Sequence, residues 1–189
     1  MNNRETTFAP LILTLKLDIE SFAFFDSMRQ KYFPVTRNFL SAHITLFHKL
    51  PGSQREQIEN DLKELCRRYE PLALYFSQWR FLGRGAAIEV ESIELQSLRD
   101  ELKNKWNEWL SNQDFQKFKP HITVQNKVAP ETARALFDSL SVDWTSRNGV
   151  GVGIQLWEYL NGPWKFAEEF MFNSNTQQPK LKNHTSNEN

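Results

Sequence analysis

Two histidines in this sequence are followed by the same two residues, His43-Ile44-Thr45 and His121-Ile122-Thr123. Along a strand, side chains at i and i+2 leave the same face, so each motif offers one imidazole and one hydroxyl to a single surface, backed by an aliphatic residue. Imidazole titrates near neutrality, so a neutral ring on one side of a reacting atom can take a proton while a protonated ring opposite gives one. Displacement at phosphorus needs that pairing, because the attacking and leaving oxygens stand on opposite sides. His43 and His121 are the candidate acid–base pair, with the Thr45 and Thr123 hydroxyls placed to hold non-bridging phosphate oxygens. Neither histidine has a third ligand or a group of carboxylates beside it in the sequence, so no metal and no other cofactor is expected.

One His-x-Thr on its own reads as an ordinary half-buried strand. His184-Thr185-Ser186, in a polar C-terminal stretch, meets a loose form of the same pattern and shows how easily it arises. What sets the first two apart is a repeat. His43–Leu50 (HITLFHKL) and His121–Val128 (HITVQNKV) are identical at four of eight positions and exchange Leu for Val at two more. Each is followed by a short turn and an amphipathic helix, which describes a duplicated β-turn-α unit whose two copies share a cleft. His48, inside the first copy, reads as structural or surface.

The elements that would position the motifs follow from periodicity. Leu11, Leu13, Leu15 and Leu17 alternate with Ile12, Thr14 and Lys16 as in a strand. Asp18 or Ser21 can cap a helix running through Phe22, Phe25, Met28 and Arg29 and closed by Pro34, and residues 42–49 are again extended. After the Pro51-Gly52-Ser53 turn, Ile58, Leu62, Leu65 and Cys66 recur at helical spacing. Leu72 to Glu91 then reads as a hairpin punctuated by Gly83 and Gly85. A helix with Leu95, Leu98, Leu102, Trp106 and Trp109 leads to the strand after Pro120, and a further helix spans Ala133 to Leu140. Two strands joined by Gly162-Pro163 finish the fold, with Phe166, Phe170 and Phe172 lining the last one. The expected organisation is one domain over residues 1–172 and a polar, disordered tail over 173–189.

The 189 residues carry 23 Lys plus Arg against 23 Asp plus Glu, with 40% apolar and 13% aromatic residues. That composition supplies a core. It offers no global field to draw the chain to a membrane or to extended duplex DNA, so contact with a polynucleotide must be local. Cys66 stands alone and has no internal disulfide partner. The first seven residues lack the apolar stretch of a secretion signal, and a cytoplasmic monomer is expected.

At these motifs the sequence resembles the two-histidine (2H) phosphoesterase superfamily, in particular its bacterial branch known as 2′-5′ RNA ligase or RNA 2′,3′-cyclic phosphodiesterase. The resemblance spans about Pro10 to Phe172, matches both His-x-Thr-hydrophobic tetrads, and includes the Phe118-Lys119-Pro120 lead into the second. It implies an α+β fold, bilobal with pseudo-two-fold duplication, its antiparallel sheets flanked by helices around a central cleft. It also implies a metal-independent activity on cyclic or 2′-5′-linked phosphodiesters of nucleotides or RNA ends. Further substrate contacts are sought at Lys119, on the His121 face; at Arg84, in a Gly-flanked turn; and at Tyr159 and Trp164, which could stack a base. Two alternatives remain at this stage: a module that binds a nucleotide or RNA end without turnover, and a structural role for the duplicated strands.

Overall fold

The computed structural model describes residues 8–174; the His184 match and residues 175–189 of the expected tail lie outside them. In chain order the elements are β1 (Leu11–Leu17), α1 (Ile19–Tyr32), β2 (Ile44–Leu50), α2 (Arg55–Arg68), β3 (Leu72–Phe81), β4 (Ala86–Glu91) and α3 (Ile93–Lys105). There follow α4 (Asn112–Phe115), β5 (His121–Gln125), α5 (Pro130–Val142), β6 (Arg147–Tyr159) and β7 (Trp164–Met171).

Capping residues fix where the first and third helices begin. Asp18 accepts the backbone N–H of Ser21 at 2.8 Å with one carboxylate oxygen and that of Val150 at 2.7 Å with the other, so the cap of α1 also ties the helix to β6. Ser92 caps α3 through the Leu95 N–H. The apolar stripe Ile58, Leu62, Leu65 and Cys66 of α2 is fully buried, as its spacing requires. Trp106 and Trp109 do not extend α3: the helix ends at Lys105, a 3₁₀ turn covers Asn107–Trp109, and the short α4 follows.

All strand pairs are antiparallel, and the order is β2-β1-β6-β3-β4-β5, with β7 also on β6. The 13-residue β6 joins the two halves of this mixed α+β fold. Its first residues pair with β3, and the rest lie between β1 and β7. The expected antiparallel sheets are continuous, one open sheet of seven strands whose halves share β6. β2 and β5, the motif strands, are its two terminal strands, yet they touch. Strand twist, accumulated across the sheet, has curled its ends toward each other around a cleft.

Two glycines matter to that closure. Gly83 takes φ +78° in the β3–β4 turn, and a Cβ on Gly85 would stand 1.9 Å from the Gln125 carbonyl oxygen, so only glycine lets β5 lie so close to the hairpin. At the far end, a bulge between Leu156 and Trp157 alters the β7 register. Phe170 and Phe172 are buried as expected, but Phe166 is half exposed and meets Trp157 edge-on at 5.4 Å. Beyond β7 the Asn173 N–H donates to the Tyr69 carbonyl at 2.9 Å.

Candidate active site

His43 immediately precedes β2 and His121 opens β5. Burial alternates as the strand period demands: Ala42, Ile44, Leu46, Ile122 and Val124 point into the core, while His43, Thr45, His121 and Thr123 are half-buried on the other face. Those four side chains line one cavity of about 830 Å³.

Both rings are held in the same way. His43 Nδ1 lies 2.7 Å from the Ser41 carbonyl oxygen, and His121 Nδ1 lies 2.9 Å from that of Lys119. A carbonyl can only accept, so Nδ1 carries the hydrogen in both rings, and the two Nε2 atoms are left to take or give a proton. Among the described residues neither Nε2 and neither threonine hydroxyl is engaged by a protein partner. The His43 ring also packs against Trp164, with centroids 4.8 Å apart. Burial pushes the His43 imidazole down to about 4, with the Arg29 and His121 charges acting in the same direction and the Ser41 carbonyl opposing. Burial likewise holds His121 below its ordinary value, reinforced by Arg80. An anion placed between the rings reverses this preference by favouring the imidazolium.

The bare edges of the motif strands are satisfied by side chains from elsewhere in the chain. Arg29, buried on α1, donates through Nε to Asn38 Oδ1 (2.9 Å) and the Leu40 carbonyl (2.8 Å), and through Nη1 to the Thr123 carbonyl on β5 (2.8 Å). Arg99, buried on α3 over the Phe47 ring, donates to the Leu46 carbonyl on β2 (2.7 Å) and to the Asp114 carbonyl (2.6 Å). Each arginine thus serves the motif strand of the opposite half. Asp114 completes the β2 edge: its carboxylate accepts from the backbone N–H groups of His48 and Lys49, the His48 ring and the Ser111 hydroxyl. Burial alone would raise that carboxyl, but these donors hold it below the ordinary carboxylate value.

Of the further candidates, Lys119 and Trp164 line the cavity. Arg84 does not: its guanidinium donates to the Val128 carbonyl at 3.2 Å, and Arg80 of β3 lines the cavity instead. Tyr159 borders an adjoining hollow. Sequence reasoning passed over Arg29, Arg80, Arg99, Asp114 and the placement of His48 in the wall. Lys117, Lys119 and Lys127 also line the cavity and have no carboxylate within ion-pair reach among the described residues. The one acid in the wall, Asp114, already has its four donors, so an otherwise charge-balanced protein has a cationic cleft.

The sequence matches the model of the 2′-5′ RNA ligase superfamily over residues 17–163. The chain belongs to that superfamily. No curated protein sequence matches it individually. Its fold is shared with the crystal structure of TT0787 of Thermus thermophilus, at 18% identity and TM-score 0.64, over 88% of this chain and 100% of that one. Apo E. coli LigT follows at 15% identity and TM-score 0.59, covering 89% and 100%. A structure described as a phosphoesterase is similar at 17% identity and TM-score 0.55, over 88% and 99%. Among the described residues no helix is long and apolar enough to cross a membrane, and no three of His, Cys, Asp and Glu gather around a possible metal position.

Proposed function

We propose that this superfamily member is a phosphodiesterase that hydrolyses 2′,3′-cyclic phosphates, or 2′-5′ linkages, of nucleotides or RNA ends by proton transfer at His43 and His121. The observation that supports this most is the matched pair of imidazoles, each with Nδ1 on a backbone carbonyl and Nε2 unclaimed, in one cavity lined by cations. E. coli LigT, whose fold is similar, has been crystallised with ATP, NADP+ and 3′-AMP, and a nucleotide is the natural ligand class to carry over.

Water attacks phosphorus in line with the ribose oxygen that leaves. A neutral imidazole takes the water's proton as the new P–O bond forms. The opposite imidazolium protonates the departing oxygen as the ring P–O bond breaks, giving a phosphomonoester and a free hydroxyl. Thr45, Thr123, Arg80 and the cleft lysines meet the negative charge on the non-bridging oxygens, which grows little in a loose transition state but must be held in place. With a nucleoside 5′-hydroxyl attacking the cyclic phosphate in place of water and the ribose O3′ leaving, the same groups form a 2′-5′ bond. The test is turnover, in buffer containing a chelator, of nucleoside 2′,3′-cyclic phosphates and 2′-5′-linked dinucleotides by the native chain and by His43→Ala and His121→Ala. Each substitution is expected to cost about 10²–10⁴ in rate. Full activity in either variant refutes the assignment. Tight binding with no turnover across the panel would instead identify a recognition module.

A further inference from the structure

Residues 38–43 lead from the 3₁₀ turn Val35–Arg37 into β2 and lie outside any helix or strand, so no ladder fixes the backbone that aims His43. Two side chains of α1 hold it instead. Asp26 and Arg29 are three residues apart and so share one face of that helix. Arg29 takes the Leu40 carbonyl. The half-buried Asp26 accepts the Ala42 N–H through Oδ1 at 2.8 Å, while its Oδ2 accepts the Gln30 amide at 2.7 Å.

The Ala42 N–H and the Ser41 carbonyl are the two edges of one trans peptide, and they point in opposite directions. That carbonyl is the acceptor 2.7 Å from His43 Nδ1. Asp26 therefore reaches the imidazole through a single peptide plane, carboxylate to N–H on one edge and C=O to Nδ1–H on the other. A plane free to turn about its flanking bonds would carry the carbonyl off the ring; tethered at its N–H, it keeps the carbonyl in place. Hydrogen bonds in such a series also polarise one another, so the carboxylate strengthens the bond at the far edge. The second motif uses the same carbonyl two residues back, that of Lys119 at 2.9 Å, but its peptide runs into Pro120, which has no N–H. There the proline ring fixes φ, and the Pro120 carbonyl is tied to β4 by the Val90 N–H at 3.0 Å. The two repeats orient equivalent rings by different means, and the first draws on a side chain from another element.

We propose that Asp26 is a positioning residue for His43: by holding the Ser41–Ala42 peptide it fixes the Nδ1–H tautomer of the ring and the aim of Nε2. The consequence for turnover rests on the phosphodiesterase reading above, whereas the consequence for the ring is independent of it.

Long-range proton–nitrogen NMR of the histidine rings in the full chain reads each tautomer at neutral pH, and kcat and KM on a nucleoside 2′,3′-cyclic phosphate are measured beside it. Both rings of the native chain are expected as the Nδ1–H tautomer. Asp26→Ala should leave His43 as a mixture of tautomers while His121 is unchanged. Its kcat should fall about tenfold or more with KM within about twofold, because misplacement of a reacting group is felt in the transition state. Asp26→Asn keeps an oxygen for the Ala42 N–H, and Gln30 can turn its own oxygen to the new amide, so this variant should retain the tautomer and most of kcat. Asp26→Ser is one bond too short to reach Ala42; it should repeat the alanine result and decides the matter if alanine prevents folding. A merely structural side chain would move the unfolding midpoint and leave the His43 tautomer untouched. An unchanged tautomer in the alanine and serine variants, or an asparagine variant as impaired as alanine, overturns the proposal. If the native chain turns over no cyclic phosphate, the phosphodiesterase reading falls and the tautomers alone decide the role of Asp26.

Discussion

Replacement of Arg29 by Met takes away a cation that holds both halves of the site at once. The residue is 5% exposed, and burial pushes its guanidinium down to about 10, which sets roughly 3 kcal/mol against the charged form where it stands. Against that relief stand its bonds to Asn38 Oδ1 and to the carbonyls of Leu40 and Thr123, all between 2.8 and 2.9 Å. Bonds to a charged donor contribute about 1.5–3 kcal/mol each, and the carbonyls stripped of it find no water in a packed interior. The loss exceeds the relief, and Arg29→Met should be less stable by about 2–5 kcal/mol. Urea unfolding followed by tryptophan fluorescence should show the midpoint falling by about 1–2 M. Turnover should fall as well, by about tenfold or more, because Arg29 joins the segment entering His43 to the strand carrying Thr123, and small displacements of reacting groups are costly. A purely structural role would not move the pH profile, but this substitution should. The Arg29 charge helps to depress His43, so its removal raises that imidazole and shifts the acidic flank of kcat/KM to higher pH. Arg29→Lys retains a charge but not the fork, and should restore the flank while recovering only part of the stability. An unchanged urea midpoint together with an unchanged pH profile would refute this account of Arg29.

Because burial lowers both imidazoles in the free enzyme, His43 to about 4, kcat/KM should trace a bell with both flanks below pH 6.5; a maximum above pH 7 would contradict it. The same depression has a signed effect on stability. Between pH 6.5 and about 4 the unfolded chain takes up a proton at His43 that the native chain refuses, so this contribution is complete above pH 6.5 and is lost on acidification through that window. His43→Gln should flatten the corresponding stretch of a stability–pH curve measured by denaturant titration. Asp114→Asn leaves one acceptor oxygen for four donors and should cost about 2–3 kcal/mol, a fall of about 4–10 °C in a thermal scan. Thr123→Val keeps the shape of the side chain and removes the hydroxyl; kcat/KM should drop about 10- to 100-fold with the circular dichroism spectrum unchanged.

Local rules made most of this molecule legible. Period-2 and period-3.6 patterns located all the strands and the long helices, and the repeat located both histidines, because side-chain direction on a strand depends on parity alone. Failures came where parity is broken or where the partner is remote. Counting by twos from Phe76 puts Arg80 on the core face of β3, but the register shifts between Phe76 and Trp79, turning Trp79 inward and Arg80 toward the cleft. No pattern near Arg84 reveals that its guanidinium is occupied by Val128. Arg29 and Arg99 read as the polar members of amphipathic helices, and their acceptors lie 94 and 53 residues away in sequence, where periodicity has nothing to report.

Those two arginines explain how terminal strands can wall the proposed reaction site. A terminal strand has one row of backbone groups without a strand partner, and proteins normally cover or blunt such an edge. Here the two terminal strands line the cleft, so the cover has to leave the cleft face open, and it does so with side chains. Arg99 and Asp114 satisfy the edge of β2, and Arg29 satisfies a carbonyl on β5. The arrangement is reciprocal: the helix after β1 serves β5, and the helix after β4 serves β2. Neither half has a satisfied motif strand without the other, and β6 runs through both. Drawing the strands apart to admit a substrate would strip buried carbonyls of charged donors at several kcal/mol each way. The two motif strands are therefore held at their spacing by bonds that their separation would break.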